Sequence, residues 1–135
     1  MKNGWHEYNM YPYVKRNLRK KYPKNLGWEI IQQDRWNGTD LHSGYETDFT
    51  VERKKRSGFT ERIIVEVKAE CNAKQEHIDQ LNSYVQKISG GYVRIIDKIL
   101  VYPSGADVSI VPEDINIMKL RNFKCENSDI TWYTN

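Results

Sequence analysis

Apolar residues recur at two different periods along this chain, and the periods divide it into helices and strands. Tyr11, Val14, Leu18 and Tyr22 fall at helical spacing, which predicts a helix over 11–22 with Pro12 accommodated near its first turn. Pro23 and the Asn25-Leu26-Gly27 stretch stop it, and Trp28-Glu29-Ile30-Ile31-Gln32 predicts a strand. Residues 35–44, with their Asn, Gly, Thr, Asp and Ser, read as a loop. Tyr45, Thr47, Phe49 and Val51 then alternate with Glu46 and Asp48, as in a strand with one polar face. A polar connection over 53–58 leads to a third strand over 59–68, so the two form a hairpin.

Helical periodicity returns in Ile78, Leu81, Val85 and Ile88, which predicts a helix over 73–89 ended by Gly90-Gly91. A strand over 97–102, a turn at Pro103-Ser104-Gly105 and a partner strand over 107–111 follow. Residues 113–122 read equally well as a short helix or an edge strand. The order helix, strand, strand, strand, helix, strand, strand implies an α/β fold, a central mixed sheet flanked by helices. Its third and fourth strands, separated by a helix, are expected to run parallel.

The length of 135 residues suits a single domain. Hydrophobic residues at 39% and charged residues at 29% exclude a disordered chain. No apolar run is long enough to span a bilayer and the N-terminus lacks a signal-peptide core, so no membrane partner is expected. Cys71 and Cys125 are too few and too far apart to suggest a disulfide framework, which makes a reducing, cytoplasmic location the expectation. A net charge of +3 says little by itself. Its distribution says more: Lys15, Arg16, Arg19, Lys20, Lys21 and Lys24 form one basic block, and Arg53-Lys54-Lys55-Arg56 a second. Each block reads either as a solvated face or as a track for phosphates, with Lys15, Arg19 and Arg53 to Arg56 the candidate nucleic-acid contacts.

Candidate chemistry concentrates in Ile63-Ile64-Val65-Glu66-Val67-Lys68, where two charges interrupt an apolar β-branched run. Alternation puts Glu66 and Lys68 on one face and Ile63, Val65 and Val67 on the other. Charges in such a strand are costly unless something uses them. Asp48, on the preceding strand of the hairpin, is the natural third partner. Two converging carboxylates make a hard-oxygen site for Mg²⁺ or Mn²⁺, and a lysine beside it suits a phosphate oxygen or an attacking water. Metal-assisted phosphodiester hydrolysis fits that set. The plainer reading is an exposed ion pair stabilising by less than ~1 kcal/mol; Ile64, on the same face, argues that the face is covered.

Asp48 followed by Glu66-Val67-Lys68 resembles the PD-(D/E)XK nuclease superfamily, with its restriction-endonuclease-like fold. The resemblance implies that Asp48, Glu66 and the Val67 carbonyl hold the metal while Lys68 serves the attacking water. Thr47 stands where the family has its proline. Gln80 and Tyr84, one helical turn apart, resemble the Gln-x-x-x-Tyr signature of the RecB-type and lambda-exonuclease-like branch. Glu7, ahead of Tyr11-Pro12, resembles the acidic residue that completes the metal site in many members. The implied activity is a Mg²⁺-dependent deoxyribonuclease, with DNA favoured over RNA and a homodimer in keeping with small members that cut both strands. The alternative is a catalytically silent nuclease-fold module that binds nucleic acid or a protein partner.

Other chemistries find no support. His6, His42 and His77 lack metal-ligand spacing, and no phosphate-cradling glycine loop, Gly-x-Ser-x-Gly elbow or Cys-His pairing is present. Trp5, Trp28, Trp36 and Trp132 read as core residues, with Trp36 the one placed in a polar loop where it would stack on an unpaired base.

Overall fold

The computed structural model describes residues 7–37, 44–88 and 90–133, with side chains described for all of these but 34–37, 44–46 and 88. Helix α1 (Glu7–Lys21) and a short 3-10 turn (Lys24–Leu26) precede β1 (Glu29–Asn37), β2 (Gly44–Lys54) and β3 (Thr60–Val67). Helix α2 (Gln75–Ile88) then leads to β4 (Val93–Ser104), β5 (Asn116–Glu126) and β6 (Asp129–Trp132). The six strands form one mixed sheet in chain order. β1, β2 and β3 are antiparallel neighbours, β3–β4 and β4–β5 are parallel, and β6 closes the sheet antiparallel to β5. The α/β class and the parallel β3–β4 pairing across a helix agree with the pattern of the sequence.

Two expectations are corrected. Residues 107–111 form no strand: Asp107 bridges Asn72 alone, and a turn then brings the Val111 amide onto the Val108 carbonyl at 3.0 Å. The fifth strand instead covers Asn116–Glu126, and it is interior to the sheet rather than at its edge. Its register against β4 shifts beyond Leu120, which lets Leu120 and Phe123 enter the same core although an odd number of positions separates them. That irregularity erases the alternation by which a strand is read. A turn through Asn127 and Ser128, both with positive φ (52° and 68°), then folds β6 back on β5.

Strand alternation gives the sheet two packed faces. Ile63, Val65 and Val67 of β3, with Ile99 and Val101 of β4, meet Met10, Tyr11, Val14 and Leu18 of α1. Ile64, Leu100 and Tyr102 meet Ile78 and Leu81 of α2 on the other face. Each such fully buried side chain contributes roughly 1.5–3 kcal/mol over its exposed state. Trp28 joins the α1 core as expected, whereas Trp132, expected in the core, is 43% exposed and donates its indole N–H to the Tyr13 hydroxyl at 2.8 Å. Trp5, His6 and His42 lie outside the described residues, as does the Trp36 side chain.

The two cysteines, expected to stay apart, form a disulfide between the segment after β3 and the end of β5, with Cα atoms 5.6 Å apart. Their separation of 54 residues conceals a proximity that the sheet order creates. The absence of a disulfide was the ground for expecting a cytoplasmic location, and that ground is gone. Among the described residues no helix is long and apolar enough to cross a membrane.

Candidate functional site

β3 turns polar at its C-terminal end, and the site is assembled around that end. The β2–β3 ladder runs as far as the Phe49–Val65 pair. One residue further, the Asp48 side chain replaces the ladder by accepting the Val67 backbone N–H at Oδ2, 2.7 Å away. Its other oxygen accepts a hydrogen bond from the Tyr11 hydroxyl of α1. On the opposite edge of β2, pairing with β1 skips the position of Asp48 and Gln33, and Gln33 takes a positive φ of 52°. Both devices turn Asp48 from a ladder residue into one held by side-chain bonds.

Glu66 lies beside it, 3% exposed. Its Oε1 atom is buried with no hydrogen-bond partner. Burial, then a hydrogen bond and charge repulsion from Asp48, raise the Glu66 carboxyl from the usual 4.5 to about 10, while Lys68 pulls the other way. Burial against Asp48 thus favours the protonated form of Glu66, and a cation bound there would take the proton's place. Burial first, then the bond to Asp48 and the negative charge of Asp48, Glu66 and Glu7, push the Tyr11 phenol upward and keep it a neutral donor.

Lys68 follows the last residue of β3, its backbone N–H bonded to the Val101 carbonyl at 2.8 Å. Its ammonium donates to Gln80 Oε1 at 2.6 Å, and Gln80 donates to the Tyr84 hydroxyl at 3.1 Å. Gln80 and Tyr84 share a face of α2 one turn apart, so the helix holds the lysine by a two-link chain. Asp48, Glu66, Lys68, Gln80 and Tyr84 thus share one end of the sheet. Glu7 opens α1 one turn before Tyr11 and is near enough to act on its phenol. Among the described residues no three His, Cys, Asp or Glu side chains converge as a metal-holding group. Two carboxylates suffice for Mg²⁺, which keeps most of its waters, and the orphaned Glu66 oxygen beside Asp48 is the kind of acceptor such a cation takes.

The sequence reading missed two features. Tyr11 was legible only as an apolar helix position, although its spacing of four from Glu7 puts both on one helix face. His77 is buried, in keeping with the packing role expected of it, but the reading missed its bonds, which fix it between the Tyr102 hydroxyl at 2.8 Å and Glu70 at 3.0 Å. Burial lowers the His77 imidazole despite the opposing charge of Glu70. The bonds of Glu70 to Lys74 and His77 outweigh its own burial and hold it below the ordinary carboxylate range. This network anchors the chain two residues beyond Lys68 to α2 and β4. Thr47 is buried with its hydroxyl 2.9 Å from that of Thr50.

The basic candidates lie elsewhere. Lys15 and Arg19 line a shallow groove of about 500 Å³ with Pro12, Arg16 and Lys20 along the outer side of α1. Arg19 also donates to the Trp28 and Tyr22 carbonyls at 3.1 and 3.4 Å, fastening the end of the helix. Arg53 is a strand residue rather than part of the connection: it pairs with Glu61 at 2.9 Å and its guanidinium lies 4.4 Å from the Trp28 ring centroid. Lys54 ends β2, and Lys55 and Arg56 sit exposed on the turn that follows. The hairpin turn is at the opposite end of β3 from Glu66. Comparison with family models, curated proteins and solved structures finds no match to this chain.

Proposed function

We propose that the chain is a metal-dependent nuclease of the PD-(D/E)XK type, with a restriction-endonuclease-like fold, that hydrolyses phosphodiester bonds in DNA. The observation that carries this reading is the buried, unpartnered Glu66 Oε1 against Asp48, with the Lys68 ammonium on the same end of the sheet. Burying the Glu66 carboxyl against Asp48 costs stability, and a cation held between the two would offset that cost. The strand order and the helix between the parallel β3 and β4 are in keeping with the fold.

Asp48 and Glu66 would hold Mg²⁺ or Mn²⁺, with the Val67 carbonyl and Glu7 as the further ligands that the resemblance implies. The bound ion supplies Lewis-acid charge for a phosphoryl oxygen. Tyr11 and the Val67 amide fix the Asp48 carboxylate, so its orientation costs no further ordering when a ligand arrives. Lys68 presents its ammonium to a phosphate oxygen or to the attacking water. Gln80 and Tyr84 limit where that ammonium sits.

The test is cleavage of circular and linear DNA by the purified protein in Mg²⁺, Mn²⁺ and EDTA. Asp48→Ala and Lys68→Ala each lower the rate at least about a hundredfold, in keeping with the loss of one preorganised charge at a transition state. Wild-type protein that cuts no faster than Asp48→Ala refutes the catalytic reading. Binding without cleavage then supports the silent nucleic-acid-binding module.

A further inference from the structure

The end of the sheet remote from Glu66 carries a surface that the catalytic reading leaves unexplained. Phe59 and Tyr92 are exposed, at 37% and 75%, with ring centroids 6.2 Å apart and planes at 48°. Phe59 immediately precedes β3 and Tyr92 immediately precedes β4, and the backbone fixes both. The Lys55 amide donates to the Phe59 carbonyl, and the Thr60 amide to the Tyr92 carbonyl, each at 2.8 Å. The Arg94 guanidinium lies 5.7 Å from the Phe59 centroid. Lys54, at the end of β2, and Lys55 and Arg56, on the turn that follows, are exposed. The hairpin's own carboxylates do not offset these cations, because Glu52 is committed to Arg62 and Glu61 to Arg53.

We propose that Phe59 and Tyr92, rimmed by Lys54, Lys55, Arg56 and Arg94, form a stacking platform for an unpaired stretch of nucleic acid. The substrate class rests on the nuclease reading; the platform itself does not need catalysis. Exposed aromatic rings offer sequence-tolerant stacking to bases whose faces are free, while cations beside them meet the phosphates. Bases within a duplex have no free face to offer, so the occupant is single-stranded.

Thr60 and Glu66 are the first and seventh residues of β3. At ~3.3 Å per residue the platform and the carboxylates are about 20 Å apart. A stacked strand, with one phosphate per ~3.4 Å as in a duplex, covers that distance in about six nucleotides. Such a site anchors a polynucleotide at a distance from the bond that is cut.

Fluorescence anisotropy in EDTA, where no cleavage occurs, tests the platform with a labelled 20-nucleotide thymidine strand, a four-nucleotide strand and a 20-base-pair duplex. The 20-nucleotide strand binds wild type with a steep salt dependence, and the four-nucleotide strand at least about tenfold more weakly. Phe59→Ala/Tyr92→Ala weakens binding of the long strand at least about tenfold without lowering the melting temperature. Binding unchanged within twofold in the double variant overturns the proposal, as does equal loss of duplex binding. Self-association that vanishes in that variant while strand binding persists overturns it too and assigns the surface to a second copy. Cleavage in Mg²⁺ separates the two readings. A protein that cuts DNA but binds it independently of Phe59 and Tyr92 keeps the nuclease and loses the platform. One that binds through them without cutting loses the nuclease and keeps the platform.

Discussion

The two faces of β3 are built from alternate residues of the same eight-residue strand, yet they serve opposite ends. Toward α1, Ile63, Val65 and Val67 enter a continuous apolar core. Toward α2, Ile64 packs against Ile78 and Leu81, and the next residue on that face, Glu66, ends the apolar run. Both faces are buried to the same degree, so burial alone does not tell them apart. What distinguishes them is that the buried side-chain oxygen found without a partner among the described residues, Glu66 Oε1, belongs to the second face. The first face holds the fold, and the second holds a strained group in place.

Three substitutions sharpen or break that contrast. The largest effect belongs to the apolar face: Ile63→Ala removes a fully buried side chain and lowers unfolding free energy by about 2–5 kcal/mol, read from urea titration. A loss below about 1 kcal/mol means that the α1 face is not the main support of the fold.

Glu66→Gln works in the opposite direction. A carboxyl raised from 4.5 to about 10 on folding contributes its full stability below pH 4.5 and loses it as pH rises toward 10. The native state then keeps a proton that the unfolded chain releases, so wild-type stability falls across that window. The glutamine variant cannot ionise and escapes the fall. Unfolding in EDTA is expected to match wild type near pH 4, and the glutamine variant is expected to be the more stable of the two at pH 7–8, by a margin that grows with pH. Parallel curves for the two proteins from pH 4 to 9 remove the strain from the α2 face.

The smallest effect on stability comes from Gln80→Ala, which cuts the partly exposed link between Lys68 and Tyr84. It changes unfolding free energy by less than about 1 kcal/mol. DNA cleavage falls about tenfold, as when a positioning contact is lost. A stability loss larger than the loss in rate assigns Gln80 to the fold instead.

Much of this arrangement was legible because it is local. The helical stripes of α1 and α2 and the alternation in β2 and β3 are properties of short windows, and they gave the hairpin and the crossover. Asp48 and Glu66 were readable together because strand alternation fixes their faces, with Lys68 just beyond, whereas Gln80 and Tyr84 were singled out only by the resemblance of their spacing to the Gln-x-x-x-Tyr signature. Tyr11 was hidden by its own side chain, which packs an apolar ring against Phe49 at 5.0 Å and extends a hydroxyl beyond it. β5 was hidden by its register shift, and residues 107–111 were misread because five alternating residues do not specify a partner strand. The disulfide was least legible of all, since it depends on how the sheet orders β3, β4 and β5.

That cross-link has a topological consequence. By joining Cys71 to Cys125 it turns α2, β4 and almost all of β5 into a covalent ring. The exposed turn around Ser109 and Ile110 lies on this ring. A protease that cuts there opens the ring without releasing a fragment, and the nicked chain migrates as one species until it is reduced. Lys68 and Gln80 both stay on the N-terminal piece, and the disulfide is what keeps β5 and β6 joined to it.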